Sequence, residues 1–132
     1  MATKQERIAR ANRVAEAALD RKALDLVALD VSALTSYADT FVIATATSDR
    51  HARAIADAIR EAESAAGGKP LGVEGYEEAR WVLIDLGDVI VHVFQEEVRA
   101  AYDLERLWSD AQSLALSALG SPAHEAPRGA TR

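Results

Sequence analysis

The stretch that most constrains this chain is Trp81–Phe94, W-V-L-I-D-L-G-D-V-I-V-H-V-F. It is the most apolar part of the sequence, and it divides into two runs, Trp81–Ile84 and Val89–Phe94, around Asp85-Leu86-Gly87-Asp88. Val, Ile and Phe suit a pleated, packed surface, and Asp and Gly suit a reversal, so the stretch reads as two strands joined by a turn. Polar and apolar residues alternate weakly along both arms. That predicts cover on both faces and a place at the centre of a sheet. Four polar groups interrupt the run: the indole of Trp81, Asp85, Asp88 and His92. They serve either the turn, a catalytic centre or a binding surface.

The flanking sequence supplies the rest of an α/β fold. Apolar residues recur at helical spacing over Lys4–Lys22 (Ile8, Ala11, Ala15, Ala18, Leu19), on a thin, alanine-rich face that predicts light packing. Asp25–Asp30 and Thr40–Thr45 read as strands close enough in sequence to pair antiparallel. Thr47-Ser48-Asp49 is a helix start, and the helix runs to about Ala66 on a stripe of Ala52, Ile55, Ile59, Ala62 and Ala66. Arg53 and Asp57, four apart on its outer face, are spaced to pair. Gly67-Gly68 ends this helix and Pro70 prevents its resumption. Leu71–Glu74 is a short edge strand, Glu96–Ala101 and Asp103–Trp108 are short helical segments, and Ser109–Leu119 reads as a helical extension. Gly120–Arg132, rich in Pro, Gly and Ala without periodicity, reads as a disordered tail after a single domain spanning residues 1–119. The expected architecture is an α/β sandwich with a mixed sheet of about five strands flanked by helices.

Composition narrows the function classes. At 132 residues and 49% hydrophobic, the chain is long enough to bury a core. It has no cysteine, hence no disulfide or thiolate metal site. No run is long and apolar enough to suggest a membrane span, and the charged N-terminus lacks a signal peptide's apolar core, so a cytoplasmic protein is expected. The net charge of −6 is unevenly spread: Glu74–Asp110 carries ten acidic and three basic residues. Direct DNA binding, which relies on phosphate neutralisation, is not expected. The acidic half suits a basic partner, or a solvated surface that keeps the protein soluble.

Enzyme signatures are weak. Asp85 and Asp88 flank a turn glycine and share no strand face, so turn chemistry explains them better than a metal pair on one strand would. His92 is a lone strand histidine, and no two histidines have metal-ligand spacing. Gly67-Gly68-Lys69 is fed by no strand and followed by no helix, so it is no phosphate loop. The strand-to-helix junction at Thr45–His51 lacks the glycines that allow an anion close approach, which favours plain capping. Trp81, Tyr102 and Trp108 read either as core anchors or as interface hot spots.

Four segments together resemble the ribosomal silencing factor family (RsfS, also called Iojap-like): A-D-T-F-V-I-A-T-A-T-S-D-R-H (Ala38–His51), E-G (Glu74-Gly75), Trp81–Phe94, and E-V-R-A-A-Y-D-L-E-R-L-W-S-D-A (Glu97–Ala111). The likeness covers about Ile8 to Ala111. It implies a nucleotidyltransferase-like core without known enzymatic activity. It also implies binding to the large ribosomal subunit through its ribosomal protein fourteen, steric blocking of subunit joining when nutrients are short, and a homodimer in the free state. No catalytic residue, cofactor or metal follows from it. The partner surface is expected among the polar and aromatic motif positions Trp81, Asp85, Asp88, His92, Tyr102, Asp103, Glu105 and Trp108. The chain departs from the family pattern at Gln95-Glu96, where His-Pro is usual, at Ala101, where an aromatic is usual, and at Ala79, where Gly is often found. Two other readings use the same residues: a biogenesis adaptor for the large subunit, and a diverged nucleotidyltransferase holding magnesium on Asp85 and Asp88.

Overall fold

Local signals set most element boundaries in the computed structural model, which describes residues 3–119. In chain order the elements are α1 (Lys4–Asp20), β1 (Leu24–Asp30), β2 (Thr40–Ala46), α2 (Asp49–Ala65), β3 (Gly72–Glu74), β4 (Trp81–Asp85), β5 (Val89–Gln95), α3 (Glu96–Tyr102), α4 (Leu104–Leu107) and β6 (Gln112–Ser113), followed by a 3₁₀ turn at Ser117–Leu119. Thr3 and Glu6 close a reciprocal capping box that satisfies amides at the start of α1. The Ser48 hydroxyl accepts the His51 amide and starts α2 as its sequence predicts.

The sheet has six strands in the order β3-β4-β5-β2-β1-β6, one more than expected. All neighbours are antiparallel except the central pair β2 and β5, which run parallel with Thr40 opposite Val89 and Ala46 opposite Gln95. The additional strand comes from Ser109–Leu119, where a helical extension was expected. Instead Gln112 and Ser113 pair with Asp30 and Leu29, and the Leu114 amide donates to Ala28 at 2.8 Å. β1 would otherwise end the sheet with an unpaired edge. Satisfying its backbone outweighs the modest helical preference of this segment. Asn12 then fixes the 3₁₀ turn against α1, donating to the Ser117 hydroxyl and accepting the Ala118 amide, both at 2.8 Å. Gly120–Arg132, expected to be a disordered tail, lies outside the described residues.

Alternation divides the core between the two sheet faces. Val42, Ala44, Val82, Ile84, Val91 and Val93 face α1 and α2, against Ala11, Val14, Ala15, Ala18, Ile55 and Ile59. The alanines on α1 let the two helices and the sheet approach closely, so the face is well buried rather than lightly packed. Each fully buried Val or Ile contributes about 1.5–3 kcal/mol. Beneath this layer Arg10 bridges two carboxylates: it pairs with Asp88 and, at 3.2 Å, with buried Glu63, which Arg13 also approaches at 3.7 Å. Arg53 and Asp57 do not pair with each other. Both hold the loop at Tyr76: Arg53 donates to the carbonyls of Tyr76 and Glu77, and Asp57 accepts the Tyr76 hydroxyl at 3.1 Å. Among the described residues no helix is long and apolar enough to cross a membrane.

Candidate partner-binding face

The opposite face of the sheet carries no long helix. Strand alternation sends Phe41 and Ile43 of β2, Trp81 and Leu83 of β4, and Ile90, His92 and Phe94 of β5 to this side. The central strands β2 and β5 are buried on both faces, as expected for the second arm of the hairpin. β4 is not, because Trp81, Leu83 and Asp85 remain half-exposed beside it. The cover here is α3 and α4. α3 has no buried residue, and α4 contributes Leu104.

The aromatic residues collect on this face. Trp81 lies between Tyr102 and Phe94, with ring centroids 4.7 and 4.8 Å away. Phe41 meets His92 and Trp108 edge-on, each at 5.1 Å, and Tyr37 lies 6.2 Å beyond. Both tryptophans, both phenylalanines and two of the three tyrosines of the chain are thereby joined on one surface, and Tyr76 alone is elsewhere. Edge-on and offset rings stabilise one another beyond the area they bury. The outer members stay open to solvent: Tyr37 is 61% exposed and Tyr102 59%. A cleft of about 340 Å³ enters between Trp81 and Tyr102, walled by Gly75, Glu78, Arg80 and Val98.

The Trp81 indole N–H donates to Nδ1 of His92 at 3.1 Å. His92 therefore carries its proton on Nε2, which is buried without a hydrogen-bond partner among the described residues. Burial pushes the His92 pKa down to about 4. The imidazole is thus neutral near pH 7 and acts as one more ring in the surface.

The acidic members of the expected surface are placed differently. Asp85 accepts the Gly87 amide at 2.9 Å and serves the turn, where Gly87 takes φ +98°. Asp88 pairs with Arg10 on the α1 side. The turn lies at the far end of β4 from Trp81, on the order of 13 Å away at the usual strand rise. Asp103 joins α3 to α4 through a left-handed backbone conformation, φ +49°, and Glu105 is bound to Arg99 at 2.8 Å. The structure thus brings together Trp81, His92, Tyr102 and Trp108, with Asp103 and Glu105 beside them in the α3–α4 arm that bears Tyr102 and Trp108, and separates the two turn carboxylates. It adds Tyr37, Phe41 and Phe94. Phe41 and Phe94 lie in apolar strand runs and Tyr37 in the connection before β2, but placing them beside Trp81 and Trp108 requires the β4-β5-β2 strand order. Among the described residues no cluster of His, Asp and Glu is arranged to hold a metal ion.

Two departures from the family pattern have visible consequences. Gln95 donates to the Asp49 carboxylate at 2.6 Å and to the Ala79 carbonyl at 3.1 Å, tying the end of β5 to the start of α2. Ala79 is buried at φ +62°, so the loop before Trp81 retains a left-handed residue although the side chain is not glycine.

These features define a small α/β domain with one helix-covered face and one aromatic, partly open face. Residues 4–132 match the family model described as ribosomal silencing factor during starvation. The ribosomal silencing factor of Bacillus subtilis is 46% identical over 92 residues, covering 70% of this chain and 78% of that protein. A crystal structure of a Chromobacterium violaceum protein superposes with a TM-score of 0.74 at 39% identity, covering 83% of this chain and 91% of the other. A second, from Bacillus halodurans, gives 0.72 at 40% identity and covers 86% and 100%. The chain belongs to the ribosomal silencing factor family.

Proposed function

We propose that this protein represses translation by docking its aromatic face on the large ribosomal subunit, through ribosomal protein fourteen, where it sterically blocks the small subunit. The observation that carries the reading is the collection of rings around Trp81 on the one sheet face that the long helices leave open. Solvent-accessible Tyr and Trp packed against a sheet are among the residue types that dominate interface energies. The acidic residues of this half, among them Glu96 and Glu97 in the first turn of α3 and Asp110 after Trp108, suit a basic ribosomal protein and speed its encounter. Trp81, Tyr102 and Trp108 make the contact, His92 supports Trp81 from below, and Asp103 and Glu105 contribute through the arm that carries Tyr102. Occlusion needs affinity and bulk, with no chemical step. The same apolar face also accounts for a homodimer in the free state, because leaving it open to water is unfavourable. A cytoplasmic location follows from work on the ribosome.

Two assays test the reading. The protein should comigrate with free large subunits in a sucrose gradient, and it should slow subunit joining in a light-scattering assay. Comigration without inhibition of joining would make it an assembly adaptor. Absence of comigration would overturn the proposal.

A further inference from the structure

The segment bearing Tyr102 and Trp108 is attached to the domain through few contacts. α3 buries no residue, and Leu104 is the one buried residue of α4. The two short helices meet at Asp103, whose left-handed φ of +49° breaks the helical path. One side chain supplies most of the polar attachment. Arg99 is 12% exposed, and its Nη1 donates to the Asp25 carbonyl at 2.6 Å and to the Thr45 hydroxyl at 2.8 Å. Its Nη2 and Nε reach the two oxygens of Glu105 at 2.8 and 3.4 Å. The Asp25 carbonyl is offered by an irregular point of β1, where the register shifts between Leu24 and Val27 and Asp25 itself takes φ +48°. A single guanidinium therefore joins α3, α4, β1 and β2.

We infer that Arg99 is a positioning residue for the docking surface: it latches the α3–α4 arm onto the end of the β1–β2 pair and so sets Tyr102 against Trp81 and Trp108 against Phe41. Its donors are turned into its own chain, and its contribution to docking passes through the pose of the arm. Glu105 is the second half of the latch, since a two-point carboxylate contact fixes the orientation of the guanidinium plane. Lysine would keep the charge but lose that fork geometry. The docking role of the latch rests on the proposed function, whereas the latch itself is measurable in the isolated protein.

Of the chain's two tryptophans, Trp81 abuts the arm at Tyr102 and Trp108 is carried by the arm against Phe41, so their emission reports its position. The experiment compares wild type, Arg99→Ala, Arg99→Lys and Glu105→Gln in the full chain by tryptophan emission, hydrogen exchange and affinity for purified large subunits. Arg99→Ala should shift emission to the red and speed exchange of arm amides by about tenfold or more, with β2 and β5 still protected. Affinity for large subunits should fall by roughly tenfold through faster dissociation. Arg99→Lys and Glu105→Gln should give smaller changes of the same kind, and they carry the test if Arg99→Ala does not fold. Unchanged emission and arm exchange in all three variants would overturn the latch. Lost affinity with an unmoved arm would also overturn it, because Arg99 would then be touching the partner. If wild type does not bind large subunits, the docking reading fails, while emission and exchange still decide the latch.

Discussion

The hydrogen bond from Trp81 to His92 ties the aromatic face to pH. An unfolded histidine titrates near 6.5, whereas burial holds His92 at about 4 in the folded protein. Between these values the unfolded chain binds the extra proton, so stability is complete above pH 6.5 and is lost as pH falls through 4. His92 accounts for a loss of roughly 3 kcal/mol between pH 7 and pH 4. Urea unfolding across this range should therefore show a flatter pH dependence in His92→Gln than in wild type, and equal slopes would refute the assignment. Gly75 marks a second point of strain. It takes φ +77°, and a Cβ there would lie 2.2 Å from the Trp81 carbonyl oxygen. Gly75→Ala should cost roughly 2–4 kcal/mol by the same unfolding measurement. A lone strand histidine and a loop glycine are visible in the sequence. That the indole donates to the imidazole is not, because the pair depends on the β4–β5 register.

The two long helices were legible from their periodicity and capping residues, and the hairpin and β2 from apolar runs bounded by turn residues or a helix start. The segment after Trp108 was not. Its residues tolerate a helix, and what decides their conformation is the open edge of β1, which belongs to another part of the chain. The same limit explains the turn carboxylates. Asp85 behaves as turn chemistry predicts, but the Arg10 partner of Asp88 lies 78 residues away in sequence. Arg10 and Asp88 are both partly exposed, and Arg10 keeps Glu63, so Asp88→Asn should cost about 1 kcal/mol or less. Affinity for large subunits should be unchanged in that variant. A tenfold weakening in a binding titration would instead place Asp88 in the interface.

Across the molecule, charge and shape divide the work. α1, α2 and one sheet face build the larger part of the core, and acidic residues such as Glu78 and Asp103 lie beside the aromatic face that the short arm only partly covers. Electrostatic attraction of this kind acts on encounter, so raising salt from about 0.05 to 0.5 M should slow association with large subunits far more than it speeds dissociation. A salt effect confined to dissociation would contradict that role for the acidic rim. The resemblance visible in the four sequence segments anticipated the family, but which motif side chains share one open face became readable only with the strand order and the placement of the arm. The most direct measurement is a binding titration of purified large subunits with wild type and Tyr102→Ala. Tyr102 is 59% exposed, so its truncation should leave the melting temperature nearly unchanged. The variant should bind at least about tenfold more weakly. Equal affinity for wild type and Tyr102→Ala would contradict the aromatic face as the docking surface.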